Sequence, residues 1–243
     1  MQPVAILGDV HGDCERMLEL VGDLDPMVPL VFVGDYFDRW DQGIEALRWI
    51  MARPNTTALL GNHDVLMLAV VEETRRGAER GRATESWLYN GGKFEDLRRL
   101  LEFPDGIAWL EKLPAMAMIG HTLVQHSDSP VYLEYGNSVD SVNQAIRRRI
   151  ESHDVDALFQ VFADLCRRRQ FYTVPDLRAY LKAFGAARLI HGHTPHQQAQ
   201  ALSLFGGTIV NVDGALSRGF GVDRRRGFVH WLGTADDTLV AHS

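Results

Sequence analysis

Five short polar clusters hold the residues of this chain that could do chemistry. They are Asp9 and His11 in GDVHGD, Asp35, Asp38 and Arg39 in GDYFDRW, Asn62 and His63 in GNHD, His126 in QHSD, and His193 in GHTP. Taken singly, none is diagnostic. An aspartate after glycine commonly shapes a turn, and a histidine at a strand end is more often a hydrogen-bonded loop residue than a ligand. As a set, Asp9, His11, Asp35, Asn62, His126 and His193 offer oxygen and imidazole donors without thiolate. Such a shell suits manganese, iron or zinc in high coordination. The expectation is that Asp35 bridges two ions and that the other polar loops converge on it.

A scaffold that gathers strand ends must position them. Leu30 to Val33 is an apolar run cut short by Gly34, the pattern of a strand buried on both faces with charge at its carboxyl end. Residues 3–7 and 56–60 repeat the arrangement. Three times a short strand runs into Gly and then Asp or Asn, at intervals of about 26 residues, the length of a compact strand-helix unit. Helices are expected over 14–24 and 43–52, where apolar residues recur on one face. In parallel sheets the carboxyl-end loops share one edge, where ligands bind. Residues 115–119 and 122–126 read as a hairpin around Gly120-His121, and 188–190, 208–212 and 227–232 as strands of a second sheet. Segments 64–113 and 136–185 read as mostly helical. The first, with its polar, Gly-broken ERGRATES, is expected to flank the site without contributing chemistry.

The chain has 243 residues, 46% hydrophobic and 23% charged, which predicts one soluble domain over 1–243 with helical cap or insert segments. A net charge of -7 gives no basic field for wrapping nucleic acid. The arginine clusters 147–149, 167–169 and 224–226 read as solvated surface with local attraction for anions. Cys14 and Cys166 lack short-spaced partners, and the first strand begins at Pro3, so a reducing cytoplasm is expected. Apolar runs stay short of the roughly 18–20 residues that span a bilayer, so no membrane partner is expected.

GDVHGD, GDYFDR, GNHD, the His126 strand end and GHTP, in this order, resemble the motifs of the calcineurin-like metallophosphoesterases. They are most similar to the phosphoprotein phosphatase branch with its lambda-type bacterial and phage members. The resemblance implies an α/β fold in which two mixed β-sheets pack as a sandwich flanked by helices, with two divalent metal ions at one edge. It places Asp9, His11 and Asp35 on the first metal, and Asp35, Asn62, His126 and His193 on the second. The implied reaction is direct attack by a hydroxide bridging the metals, with no phosphoenzyme. Manganese is the expected metal, with iron or zinc as alternatives.

Beside the resemblance stands a physical account of three further residues. Arg39 offers a planar cationic fork for the phosphate oxygens. His63 would protonate the leaving oxygen, with Asp38 fixing its tautomer and raising its pKa. Some positions depart from the family pattern. Trp40 stands where the protein phosphatases usually have Gly, and is expected either to line the substrate entrance or to pack under the next helix. Asp64 ends the third motif as in the diadenosine tetraphosphate hydrolases, which usually lack a counterpart of Asp38. A second phosphate-binding arginine is expected from Arg167 to Arg169, with Arg169 named as the candidate. The expected substrate is a phosphorylated protein, carrying phosphoserine or phosphothreonine. The alternatives are a dinucleoside polyphosphate, as for a symmetrical diadenosine tetraphosphate hydrolase, and a metal-binding scaffold without catalysis.

Overall fold

A computed structural model describes residues 2–78, 80–221 and 227–233, and the arginine cluster 224–226 lies outside the described residues. Strands β1 (Val4–Leu7), β2 (Leu30–Phe32) and β3 (Thr56–Ala58) are parallel neighbours, joined through helices α1 (Cys14–Val21) and α2 (Gly43–Ala52). β1 shows why a continuous apolar run was needed. Val4 and Ile6 face one hydrophobic cluster and Ala5 and Leu7 the other, so the strand is buried on both faces.

After β3 come α3 (Asn62–Arg75), α4 (Arg82–Tyr89), α5 (Phe94–Leu101) and α6 (Pro104–Leu110). They lead into the hairpin β4 (Met116–Ile119) and β5 (Thr122–Gln125). Helices α7 (Val139–Glu151), α8 (Val155–Leu165) and α9 (Val174–Ala183) precede β6 (Arg188–His191), β7 (Leu202–Leu204) and β8 (Ile209–Asn211). The last described strand is β9 (Val229–Leu232).

One sheet has the order β3-β2-β1-β9 and the other β4-β5-β6-β8-β7. Between them lies a cluster that includes Val31, Val33, Leu59, Val124, Ile190 and Val212, while the helices close over the outer faces. Two expectations need correction. The strand at 227–232 joins the first sheet, antiparallel to β1, with Ile6 opposite His230. Its alternation predicts a strand but carries no information about a partner more than 200 residues away. β7, in Leu202–Leu204, was also unforeseen, because it is short and mostly exposed at a sheet edge.

α3 is buried on every side from Asn62 to Glu73, which makes it an interior helix and not an amphipathic flank. Helix α4 begins inside the ERGRATES stretch. Glu73 of α3 caps its first turn, accepting from the amides of Ala83 and Thr84 at 2.8 Å each. Both cysteines are free, and no helix among the described residues is long and apolar enough to cross a membrane.

Candidate metal centre and active site

The loops after β1, β2, β5 and β6 and the first turn of α3 meet at one edge of the two sheets. Close backbone approach makes this possible. A Cβ on Gly34, whose φ is 113°, would collide with Gly61, and one on Gly61 would collide with the Asp35 carboxyl. His11, Asp35, Asp38, Arg39 and His193 all hold positive φ, from 46° to 72°. That costs on the order of 1 kcal/mol or more per residue and is a mark of functional sites. Asp64 stitches the second and third loops together, accepting from the amides of Asp35 and Tyr36 at 2.9 Å and of Gly61 at 2.8 Å.

The hydrogen-bond pattern tests whether a cation fits. His126 spends its Nδ1 proton on the Val33 carbonyl at 2.9 Å, leaving Nε2 as an acceptor. That Nε2 faces Asn62 Oδ1 at 2.8 Å, His193 Nδ1 at 3.2 Å and Asp35 Oδ1 at 3.5 Å. Asn62 is oriented by donating its amide to Cys166 Sγ, and His193 donates Nε2–H to the Cys166 carbonyl. Four acceptor atoms thus converge without a proton between them, an arrangement that a cation satisfies and a neutral hydrogen-bond network does not.

The same logic holds one step away. His11 donates Nδ1–H to the Phe37 carbonyl at 3.1 Å and points Nε2 at Asp35 Oδ2, 3.7 Å away, and Asp9 Oδ2, 3.8 Å away. Asp9 is fixed by the His193 amide, which donates to both its oxygens at 3.0 and 3.1 Å. Asp35 therefore turns one oxygen to each group. Burial first, and repulsion from Asp213 and Asp35 second, push the Asp9 carboxyl well above its usual range. Burial likewise pulls His11 and His126 well below theirs. Neutral imidazoles and crowded carboxylates are what divalent cations require of their ligands.

His63, on the first turn of α3, donates Nδ1–H to Asp38 Oδ2 at 2.5 Å. Burial lowers its pKa, but Asp35 and then Asp38 outweigh that and raise it. Its Nε2 lies 4.0 Å from Asp35 Oδ2, so the ring faces the Asp35 carboxylate. Geometrically His63 can also group with His11 and Asp35 as a ligand set. The Asp35 and Asp38 carboxylates favour the doubly protonated ring, whose Nε2–H donates and does not ligate.

A cavity of about 130 Å³ opens over these groups, lined by Asp9, His11, Asp35, Asn62, His63 and His193 together with Arg39, Asn90, Cys166, Arg168, Pro195 and Phe220. His126 lies beneath it, fully buried. The Arg39 guanidinium stacks over Phe220 at 4.6 Å. Of the three adjacent arginines, Arg168 lines the cavity and Arg169 does not. Arg167 is held in ion pairs with Glu134 and Asp164 at 2.9 Å each. Trp40 also lies off the cavity lining, its ring under the Arg218 guanidinium at 4.5 Å. His191 ends β6 outside the ligand cluster, and His196 stacks on Phe228. Sequence reasoning passed over Asn90, Cys166 and Phe220. The Asn90-Gly91-Gly92 turn was a usable signal, since the Gly91 carbonyl accepts the Arg39 amide at 2.9 Å.

Comparison with known proteins agrees with this geometry. Residues 2–197 match the family described as calcineurin-like phosphoesterase. A symmetrical bis(5'-nucleosyl)-tetraphosphatase of Methylococcus capsulatus is 31% identical over 129 residues, covering 51% of this chain and 42% of that protein. The chain thus spans less than half the length of this curated relative. Among solved structures, a cold-active protein-tyrosine phosphatase of a Shewanella species superposes with a TM-score of 0.70 at 22% identity, over 99% of this chain and 80% of that one. A protein serine/threonine phosphatase of Saccharomyces cerevisiae does so with a TM-score of 0.54 at 15% identity, over 96% and 80%. On the family match and the fold together, the chain belongs to the calcineurin-like phosphoesterases.

Proposed function

We propose that this protein is a phosphatase that uses two divalent cations, manganese foremost, to hydrolyse phosphomonoesters without a covalent intermediate. The observation that best supports it is the convergence of acceptor atoms of Asn62, His126, His193 and both Asp35 oxygens at a cavity walled by arginine. When bound, the cations would acidify a water and neutralise charge on the phosphate.

The chain's own groups do the rest. Arg39 and Arg168 face the cavity, where guanidinium forks suit the non-bridging oxygens as charge builds on them. Among the described residues no hydroxyl or carboxylate outside the ligand set lines the cavity, and the Cys166 thiol is pushed up to about 12 by burial and by Asp35. His63 apart, which serves as the proton donor, no described side chain there is placed to attack phosphorus, and this favours water as nucleophile. His63, kept protonated by Asp38, gives its Nε2 proton to the departing oxygen. Manganese-dependent hydrolysis of phenyl phosphate, whose leaving oxygen needs a proton, should fall about 100-fold or more in His63→Asn. Equal rates in wild type and variant would sink this assignment.

The first substrate choice is phosphoserine or phosphothreonine in a protein. It is supported by the His63–Asp38 pair and by a cavity that fits a phosphoryl group on a projecting side chain. The likeness to a tetraphosphatase favours a second reading, hydrolysis of dinucleoside polyphosphates. A panel of phosphopeptides against dinucleoside polyphosphates separates them, and a clear preference for the latter would overturn the first choice.

A further inference from the structure

The two oxygens of Asp38 are taken by different partners. Oδ2 accepts from His63, and Oδ1 accepts from the indole Nε1 of Trp87 at 2.6 Å. All three side chains are buried, Asp38 and Trp87 completely. A buried carboxylate with one donor on each oxygen has its torsion fixed, whereas a single donor leaves it free to swing.

Trp87 is itself firmly held. Its ring packs edge-to-face on Phe94 at 5.5 Å, and a Cβ on Gly92 would run into the indole. Its helix, α4, is anchored to α3 through Glu73, which also takes the Thr84 hydroxyl at 2.7 Å. α3 is the helix whose first turn carries His63, so donor and support hang from one rigid pair of helices. Four residues beyond Trp87, the Gly91 carbonyl holds the backbone of Arg39, the neighbour of Asp38.

We propose that Trp87 is a positioning residue for proton donation: its N–H fixes the Asp38 carboxylate so that the His63 ring presents Nε2 to the leaving oxygen. This rests on the reading of His63 as the acid. The competing explanation is that a buried indole has merely found an acceptor, as buried indoles must. The two explanations differ in what loss of the N–H does.

Trp87→Phe removes the donor and keeps an aromatic ring. Its kcat/KM should be measured with manganese on a series of aryl phosphates from 2,4-dinitrophenyl to phenyl. Dinitrophenolate departs without a proton and phenolate needs one, so a displaced acid is felt only at the phenyl end. The expected loss is about 10-fold on phenyl phosphate, the worth of a hydrogen bond to a charged group, and under about 2-fold on the dinitrophenyl ester. In an Asp38→Asn background the substitution should add nothing. Equal loss along the series, no loss, or full additivity with Asp38→Asn would overturn the proposal. His63→Asn on the same esters keeps the two levels apart. A steep dependence there with a flat one in Trp87→Phe refutes the positioning role alone, while a flat dependence in His63→Asn refutes the acid assignment beneath it. Should Trp87→Phe fail to fold, benzothienylalanine at position 87 keeps the bicyclic shape without the N–H and serves the same series.

Discussion

Replacing Asp35 by asparagine should damage the two candidate cation sites unequally. Asp35 Oδ1 accepts the His63 amide at 2.9 Å, and Oδ2 lies 3.7 Å from His11 Nε2. An asparagine there must keep its carbonyl oxygen toward the His63 N–H, because turning the NH₂ to it would leave two buried donors face to face. That costs about 1–3 kcal/mol, a preference of roughly 10- to 100-fold. The NH₂ therefore falls on the His11 side, 3.7 Å from the Nε2 lone pair where the carboxylate oxygen stood, so the Asp9–His11 site loses an anion and has a donor set where it needs a ligand. The Asn62–His126–His193 site loses charge but keeps an oxygen. Since removing even a supporting partner behind a ligand costs about 10- to 100-fold in affinity, the first site should weaken by about 100-fold or more and the second by roughly 10-fold. Metal analysis of gel-filtered protein, with electron paramagnetic resonance for a coupled manganese pair, should find one ion and no coupling. Two ions at wild-type affinity, or loss of the second site with retention of the first, would refute the reasoning.

Two further outcomes follow from the site. Arg168→Ala should lower kcat/KM by about 10-fold or more through loss of a charge-assisted phosphate contact, whereas Arg169→Ala should stay within about 2-fold; steady-state kinetics on para-nitrophenyl phosphate decides, and the reverse order would refute it. Stability of the metal-stripped protein should fall as pH rises above about 6.5. Burial and then Asp35 hold Asp213 up to about 7, against 3.8 for the ordinary carboxyl, and Asp9 is raised well above the same value. Below about pH 6.5 this is opposed by His11, His126 and His193, whose lowered pKa lets them bind protons only when unfolded; between roughly pH 6.5 and 7.5 the carboxyls act alone, each removing up to about 1.4 kcal/mol per pH unit. Thermal melts in a chelator should lose several degrees between pH 6.5 and 7.5, and saturating manganese should restore most of them. A chelated protein whose melting point is flat over that range would contradict the account.

The candidate ligand set was legible as a cluster because its signal is local: a strand, a glycine, then a polar residue whose direction the strand fixes. Asp9, His11, Asp35, Asn62, His126 and His193 all meet where the strand-end pattern puts them. Trp87, Asn90, Cys166 and Arg168 carry no such signal. They reach the site only because α4 and α8 pack on an α3 buried all round, and the segment 64–113 read as mere flank for that reason. The sheet of β9 was hidden too, since pairing is settled by which edge remains uncovered and not by the strand's own residues.

The left-handed backbone at His11, Asp35, Asp38, Arg39 and His193 has a consequence for anyone improving this protein. Glycine or asparagine relaxes such positions, so a selection for heat tolerance or expression yield alone will favour them. Arg39 is the most exposed to that drift, being only half-buried, its Nε without a hydrogen-bond partner. A library screened without an activity filter would accumulate sturdier chains from which the cavity's Arg39, the proposed phosphate clamp, had been erased.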